Sequence, residues 1–181
     1  MAIQIAPERT GLFTWKGEPM TLVGTPIGAG DRAPDFTVMT GDFKPFHLQD
    51  ALAGGTRAAL FVVVPSIDTG VCSKETRTFN ERVAALSADK IGCFTVSMDL
   101  PFAQKRWCGA EGVERMVMLS DHFDHSFGLA FGVRVKERGL DARSIFIVDK
   151  GGIVRTALVV PELTQEPEYD DVIAMAKAAA A

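Results

Sequence analysis

No apolar run in this chain approaches the roughly 18–20 residues that a membrane-spanning helix needs. The longest strong one is AALFVVV at 58–64, so no membrane role is expected. There is no basic stripe either. The 19 Lys and Arg residues are interleaved with 23 Asp and Glu for a formal net charge of −4. That balance lacks the electrostatic footprint of a nucleic-acid binder. Internal repeats, low-complexity tracts and linkers are absent. The opening MAIQIAPERTGLF carries a proline and an acid early and has no apolar h-region, so no secretory leader is expected and the chain reads as cytoplasmic. Cysteine is scarce: Cys72, Cys93 and Cys108, with no CxxC pair. In a reducing compartment three such residues do not form a disulfide scaffold, and the missing CxxC excludes a thioredoxin-type exchanger with adjacent thiols. Each is a packed thiol, a metal ligand or a reactive group.

What remains is a chain of 181 residues that is 47% hydrophobic, enough for one domain spanning 1–181 with a real core. FTWKGEPMTL at 13–22 alternates apolar and polar residues around Lys16-Gly17-Glu18 and predicts a β-hairpin over about 12–23. Residues 23–36 are rich in Gly and Pro and read as a loop; 36–40 reads as a strand. AALFVVVP at 58–65 is continuous and β-branched, as in a strand buried on both faces. Val71, Phe79, Val83 and Leu86 among charges predict an amphipathic helix over 71–87. Strands follow at 91–99 and 116–120, with a short helix at 101–109 opened by Pro101 and closed by Gly109. A hairpin at 144–159 turns at Asp149–Gly152, and the alanine-rich tail closes as a helix. Strands alternating with helices indicate an α/β fold with a mixed central sheet flanked by helices. In such folds sites gather where strands end and helices begin.

Cys72 lies at such a place, in VVVPSIDTGVCSKETRTFNE at 62–81. A thiol reacts as its thiolate, and a free cysteine titrates near about 8.5, so a reactive one needs help to hold the charge. With Thr69 as N-cap, Gly70, Val71 and Cys72 occupy the first three helical positions. The Thr69 oxygen then accepts from the Cys72 backbone N–H. The sulfur sits at the positive end of the helix dipole, among free N–H groups. A cation from elsewhere in the fold would add to this, and an arginine suits the task. Pro65 helps end the strand with no N–H left unpaired. Gly70 removes bulk beside the sulfur. The plainer alternative is a small buried cysteine at a strand–helix turn.

Pro65-Ser-Ile-Asp-Thr69-Gly-Val-Cys72 resembles the Pro-x-x-x-Thr-x-x-Cys motif of the peroxiredoxins. SMDLPFAQKRWC at 97–108 is similar to a signature of one subgroup, the bacterial thiol peroxidases, which are atypical two-cysteine peroxiredoxins. GLDARSIFIVD at 139–149 resembles the segment that carries the active-site arginine, here Arg143. The resemblance covers nearly the whole chain. It implies a thioredoxin-like fold, reduction of hydrogen peroxide and organic hydroperoxides, and no cofactor or metal. It also implies that Cys72 is the peroxidatic cysteine and Cys108 the resolving one, joined in a disulfide during the cycle. Thr69 and Arg143 would orient and polarise the peroxide, and Pro65 would shield the pocket. Thioredoxin as reductant and a homodimer are implied in the same way.

Other readings stay open on the residues alone. Cys108 also reads as a thiol buried at a helix end. Cys93, in a strand, reads as a packed core cysteine. Arg143 also reads as a surface ion-pair partner. DHFDH at 121–125 invites a metal through His122, Asp124 and His125, but neighbouring side chains diverge on any regular element, so a solvated loop or helix start is expected. A cysteine hydrolase would need His47, His122 or His125 beside Cys72. A redox sensor would use the same oxidisable pair without turnover.

Overall fold

The structure is a computed structural model that describes residues 6–181, without the side chains of 87–89. The leader reading of the opening stretch therefore falls partly, at 1–5, outside the described residues. The elements run β1 (Glu8–Arg9), β2 (Thr14–Trp15), β3 (Glu18–Pro19), β4 (Leu22–Val23), β5 (Val38–Thr40), β6 (Pro45–Phe46), α1 (Leu48–Ala51), β7 (Ala58–Val63) and α2 (Gly70–Arg82). A 3₁₀ segment (Val83–Asp89) follows, then β8 (Ile91–Ser97), α3 (Pro101–Glu111), β9 (Val117–Ser120), α4 (Ser126–Ala130), β10 (Arg134–Val135), β11 (Leu140–Asp141), β12 (Ser144–Asp149), β13 (Val154–Val159) and α5 (Tyr169–Ala180).

The central sheet has seven strands in the order β13-β12-β7-β8-β9-β5-β6. β7, β8 and β9 are parallel, and the flanking strands run antiparallel. Every β7 side chain is buried, as a strand covered on both faces requires. Alternation divides them. Ala59, Phe61 and Val63 face a phenylalanine-rich layer with Phe36, Phe94, Phe127, Phe131 and Phe146. Leu60 and Val62 face the other layer, where Phe79 of α2, Trp107 of α3 and Val172 and Ala176 of α5 pack.

Several boundaries differ from the sequence reading, for local reasons. The N-terminal hairpin is real but short: β2 pairs with β3 about the Lys16-Gly17 turn, both residues having positive φ. Leu22–Val23 instead joins a second sheet, β1-β4-β10-β11, whose two-residue strands leave no periodic signal. The strand expected from 36 begins at Val38, because Phe36 turns inward among the aromatics. The helix expected to reach 87 tightens to 3₁₀ after Arg82. That winding eclipses positions three apart and brings Val83 and Leu86 together into the core. The short helix runs past Gly109 and stops at Gly112, which takes the left-handed C-cap conformation. Among the described residues no helix is long and apolar enough to cross a membrane.

Two buried acids meet behind the sheet. Asp121 accepts from the Phe127 and Gly128 N–H groups at 3.0 and 2.8 Å, which starts α4. Asp141 reaches the same point from β11, so close that a Cβ on Gly128 would lie 2.1 Å from its Oδ1. Among the described residues neither Asp141 oxygen finds a hydrogen-bond donor, so burial beside Asp121 favours a protonated carboxyl there. Burial raises Asp121 to about 6, with Asp124 adding to the rise. Burial, together with the Asp121 charge, raises Asp141 well above the usual carboxylate range, while Arg134 opposes it. In the unfolded chain both titrate near about 4, so above that pH the folded state binds more protons and stability falls as pH rises through about 6. Asp141→Asn supplies an amide donor without a proton to lose. It should raise Tm by roughly 5 °C at pH 8 and by little at pH 5, as read by thermal denaturation at the two pH values. An equal shift at both would separate the effect from ionisation.

Candidate active site

The loop after β7 is built by a few long-range bonds. Val64 N donates to Val96 O at 2.9 Å, which carries the strand pairing one residue past its end. Pro65 follows, buried, with no N–H to satisfy. The turn to α2 is fastened from outside by Asp99. Its carboxylate accepts from Ser66 Oγ (2.7 Å), Ile67 N (2.8 Å) and Ser97 Oγ (2.6 Å). Asp99 belongs to the 97–108 stretch, so that stretch shapes the Cys72 loop as well as leading to Cys108.

Thr69 caps α2 as its spacing predicts. Its extended backbone stops the helix, and Oγ1 accepts from Cys72 N at 3.4 Å. Oγ1 also lies 3.1 Å from Ser66 O, to which it donates. Its proton is thus engaged, and lone-pair capacity is what it offers toward the cavity. Ser73 N donates to Thr69 O at 2.9 Å and starts the helical ladder. Cys72 sits in this first turn with 1% of its surface exposed.

Arg143 arrives from the other side of β7. In the β7–β12 pairing Ser144 faces Val63, so Arg143, one residue earlier, is delivered to the end of β7 where the Cys72 loop begins. It is 2% exposed, which overturns the surface ion-pair reading. Its Nη2 donates to Cys72 Sγ at 3.2 Å and its Nε to Leu163 O at 3.0 Å; its Nη1 pairs with Glu75 Oε2. Glu75, one turn after Cys72 on α2, is 0% exposed. A guanidinium held on three sides cannot swing away from the sulfur. Glu75 and the Leu163 carbonyl were not found from sequence. A helical Glu three residues past a cysteine looks like surface charge until its partner is placed.

Pro65, Thr69, Cys72, Arg143, Leu140 and Leu163 line a cavity of about 320 Å³, and Trp15 and Lys16 of the hairpin form part of its wall. Four of the five residues singled out in sequence therefore converge here. Cys108 does not. It is half-buried on α3 and lines a separate cavity with Gln104, Lys105 and Met118. All three cysteines are free thiols. Burial raises Cys108, and raises Cys93 to about 12. α2 is braced to the end of α3 by Arg77–Glu111 at 2.7 Å. Asn80 Oδ1 accepts from Glu114 N and Arg115 N at 3.1 and 2.7 Å.

Among the described residues no histidine lines the Cys72 cavity. His47 is taken up by Phe36 O at 3.0 Å, His122 by Ser120 Oγ at 2.8 Å, and His125 begins α4. The hydrolase reading thus lacks its base. Within 121–125, Asp121 is spent on α4 and Asp124 accepts from Ser126 N. Among the described residues no group of three or more His, Cys, Asp or Glu is placed to hold a metal.

Residues 28–173 match the Redoxin family. The chain is 49% identical over 166 residues to a thiol peroxidase of Bacillus subtilis (strain 168), covering 92% of this chain and 96% of that protein. It is 50% identical over 167 residues to a thiol peroxidase of Listeria innocua serovar 6a, covering 92% and 98%. A solved structure of a peroxiredoxin-like protein from Aquifex aeolicus superposes with a TM-score of 0.84 at 38% identity, over 94% of this chain and 97% of that one. The mixed sheet flanked by helices is accordingly the thioredoxin-like fold of the peroxiredoxins. On sequence, fold and cysteine site together, the chain belongs to the Redoxin family and, within it, to the thiol peroxidases, enzymes of the peroxiredoxin class.

Proposed function

We propose that the protein reduces hydrogen peroxide and organic hydroperoxides at Cys72, is resolved by Cys108, and is recycled by thioredoxin. The observation that carries this is the 3.2 Å contact of Arg143 with the Cys72 sulfur inside a cavity walled by Pro65 and Thr69. The guanidinium and the first turn of α2 favour negative charge on sulfur. The Cys72 thiolate attacks the terminal oxygen of ROOH. The O–O bond breaks, Cys72 becomes a sulfenic acid, and RO⁻ leaves to take a proton as ROH. The Arg143 guanidinium, fixed beside the sulfur, also stabilises the charge that develops on the leaving oxygen. Thr69 Oγ1, whose own proton is held by Ser66 O, orients the peroxide by accepting its O–H. Cys108 then attacks the sulfenic sulfur, releasing water and forming the disulfide. A thioredoxin dithiol takes over that disulfide and restores both thiols. The cytoplasm is where such a reductant is met.

The decisive assay is peroxide consumption coupled through thioredoxin and its reductase to NADPH. Catalytic turnover is expected; a single stoichiometric oxidation would point to a sensor instead. A homodimer belongs to the same proposal and is read by analytical ultracentrifugation.

The Cys72–Cys108 disulfide requires Cα atoms within roughly 7 Å. In the reduced structure the two residues line separate cavities on braced helices. Forming the bond must therefore loosen the first turn of α2, whose cap is already long at 3.4 Å, or the end of α3 at Gly112. Hydrogen exchange should rise on oxidation in 69–76 and 108–115. Equal protection in the two redox states would contradict the pairing.

A further inference from the structure

We infer that Glu162 is a positioning residue that holds the hairpin wall of the Cys72 cavity in place, so that its loss costs a bulky hydroperoxide more than a small one. The inference rests on the peroxidase reading and deepens it. The hairpin consists of two strands of two residues, β2 and β3. An isolated hairpin even of ordinary length is marginal in water, so its position must be imposed from outside. Its turn residues, Lys16 at φ 53 and Gly17 at φ 80, leave their N–H groups facing away from the hairpin. Both donate to one carboxylate: Lys16 N to Glu162 Oε1 at 3.0 Å and Gly17 N to Oε2 at 3.2 Å. Thr14 Oγ1 donates to Oε2 at 2.7 Å. From the opposite side Thr164 N and Oγ1 donate to Oε1 at 3.1 and 2.7 Å. One carboxylate thus joins the hairpin turn to the segment after β13, across nearly 150 residues of sequence. Hydrogen bonds to an ionised acceptor are about twice as strong as neutral ones. The bonds from Thr14 and Thr164 hold this carboxyl well below the usual range, so it stays ionised throughout the working pH.

The division of labour is visible in the backbone. Thr14 N bonds Pro161 O and Leu163 N bonds Thr14 O, each at 2.8 Å. Those bonds secure Leu163, whose carbonyl receives Arg143 Nε, without help from Glu162. Glu162 secures the turn tip at Lys16 and Gly17, and the adjoining Trp15 is held with help from the Arg138 guanidinium 5.3 Å over its ring. Hydrogen peroxide needs only the floor of the cavity at Cys72, Thr69 and Arg143. A volume of about 320 Å³ leaves room for a substituent between Leu140, Leu163 and Trp15. Misplacing the hairpin should therefore affect a bulky substrate far more than a small one.

The test compares cumene hydroperoxide with hydrogen peroxide in the thioredoxin-coupled assay, for the unaltered protein, Glu162→Ala and Glu162→Gln. For Glu162→Ala the ratio of kcat/KM between the two substrates should fall about tenfold, the scale of a lost apolar pocket contact. The loss should lie in KM for cumene hydroperoxide. Glu162→Gln should be intermediate, because it keeps one acceptor oxygen but sets an amide donor against the Gly17 N–H. In a Trp107→Phe background, acrylamide quenching of Trp15 should increase with Glu162→Ala. A parallel fall for both substrates, or an unchanged ratio with unchanged quenching, overturns the inference. If the unaltered protein reduces neither peroxide, the peroxidase reading fails, and the quenching comparison still decides whether Glu162 holds the wall.

Discussion

Cys72→Ser should abolish thioredoxin-coupled peroxide turnover, with residual activity at least a thousandfold below the unaltered protein. A serine hydroxyl at the start of α2 would have no general base to activate it, since among the described residues no histidine lines the cavity. It also cannot be oxidised through a sulfenic acid. The substitution is small and the site is enclosed, so Tm should move by only a few degrees and the loss can be assigned to chemistry. Cys108→Ser makes the complementary case. It should react once with peroxide, seen as a single added oxygen by mass spectrometry, and then stop. Cys93→Ser sets the control, because that thiol is held protonated by burial and lies away from the Cys72 cavity. Full turnover by Cys72→Ser would end the proposal.

Arg143→Met should damage both stability and rate, and a second substitution separates the two. Arg143 and Glu75 are 2% and 0% exposed, and Nη1 of the one pairs with Oε2 of the other. Removing the guanidinium leaves a carboxylate buried without its partner. Breaking a buried pair in this way costs about 3–5 kcal/mol, or roughly 10 °C in Tm for a chain of this size. Replacing both members, as Arg143→Met with Glu75→Leu, takes away the orphaned charge and should recover most of that stability. It should not recover the rate. Single-turnover oxidation of Cys72 should stay about 100–1,000-fold slow, because the donor at the sulfur and at the leaving oxygen is gone. Glu75→Gln retains the packing and one acceptor oxygen; an intermediate loss of about tenfold is expected. Recovery of peroxide oxidation in the double variant would show that Arg143 matters only as a structural ion.

Around Cys72, much was legible in the sequence because the chemistry is local. Thr69 three residues before Cys72 predicts the cap and the first helical turn, and both are present. The apolar, valine-rich run at 58–65 predicts a strand buried on both faces, which the structure places at Ala58–Val63, and alternation then assigns its two layers. The short edge strands were not legible, since two residues carry no period. The sequence points to Gly109 as the helix end, whereas Gly112 supplies it, because only the left-handed conformation distinguishes the two.

The sequence by itself determined the reactive thiol's helical setting, the order of the long central strands and main helices, and, through its motifs, the family. The tertiary structure alone decided what surrounds the sulfur. Arg143 reaches Cys72 across 71 residues because β12 pairs antiparallel with β7 in one register; a one-residue slip would turn the neighbouring side chains to the opposite face. Glu75 became a buried counter-ion only once the Arg143 guanidinium met it, and Glu162 the anchor of the hairpin only once distant backbone N–H groups did. A residue's propensity is written in its neighbours along the chain. Its charge partners and its solvent are set by neighbours in space, which sequence order does not record.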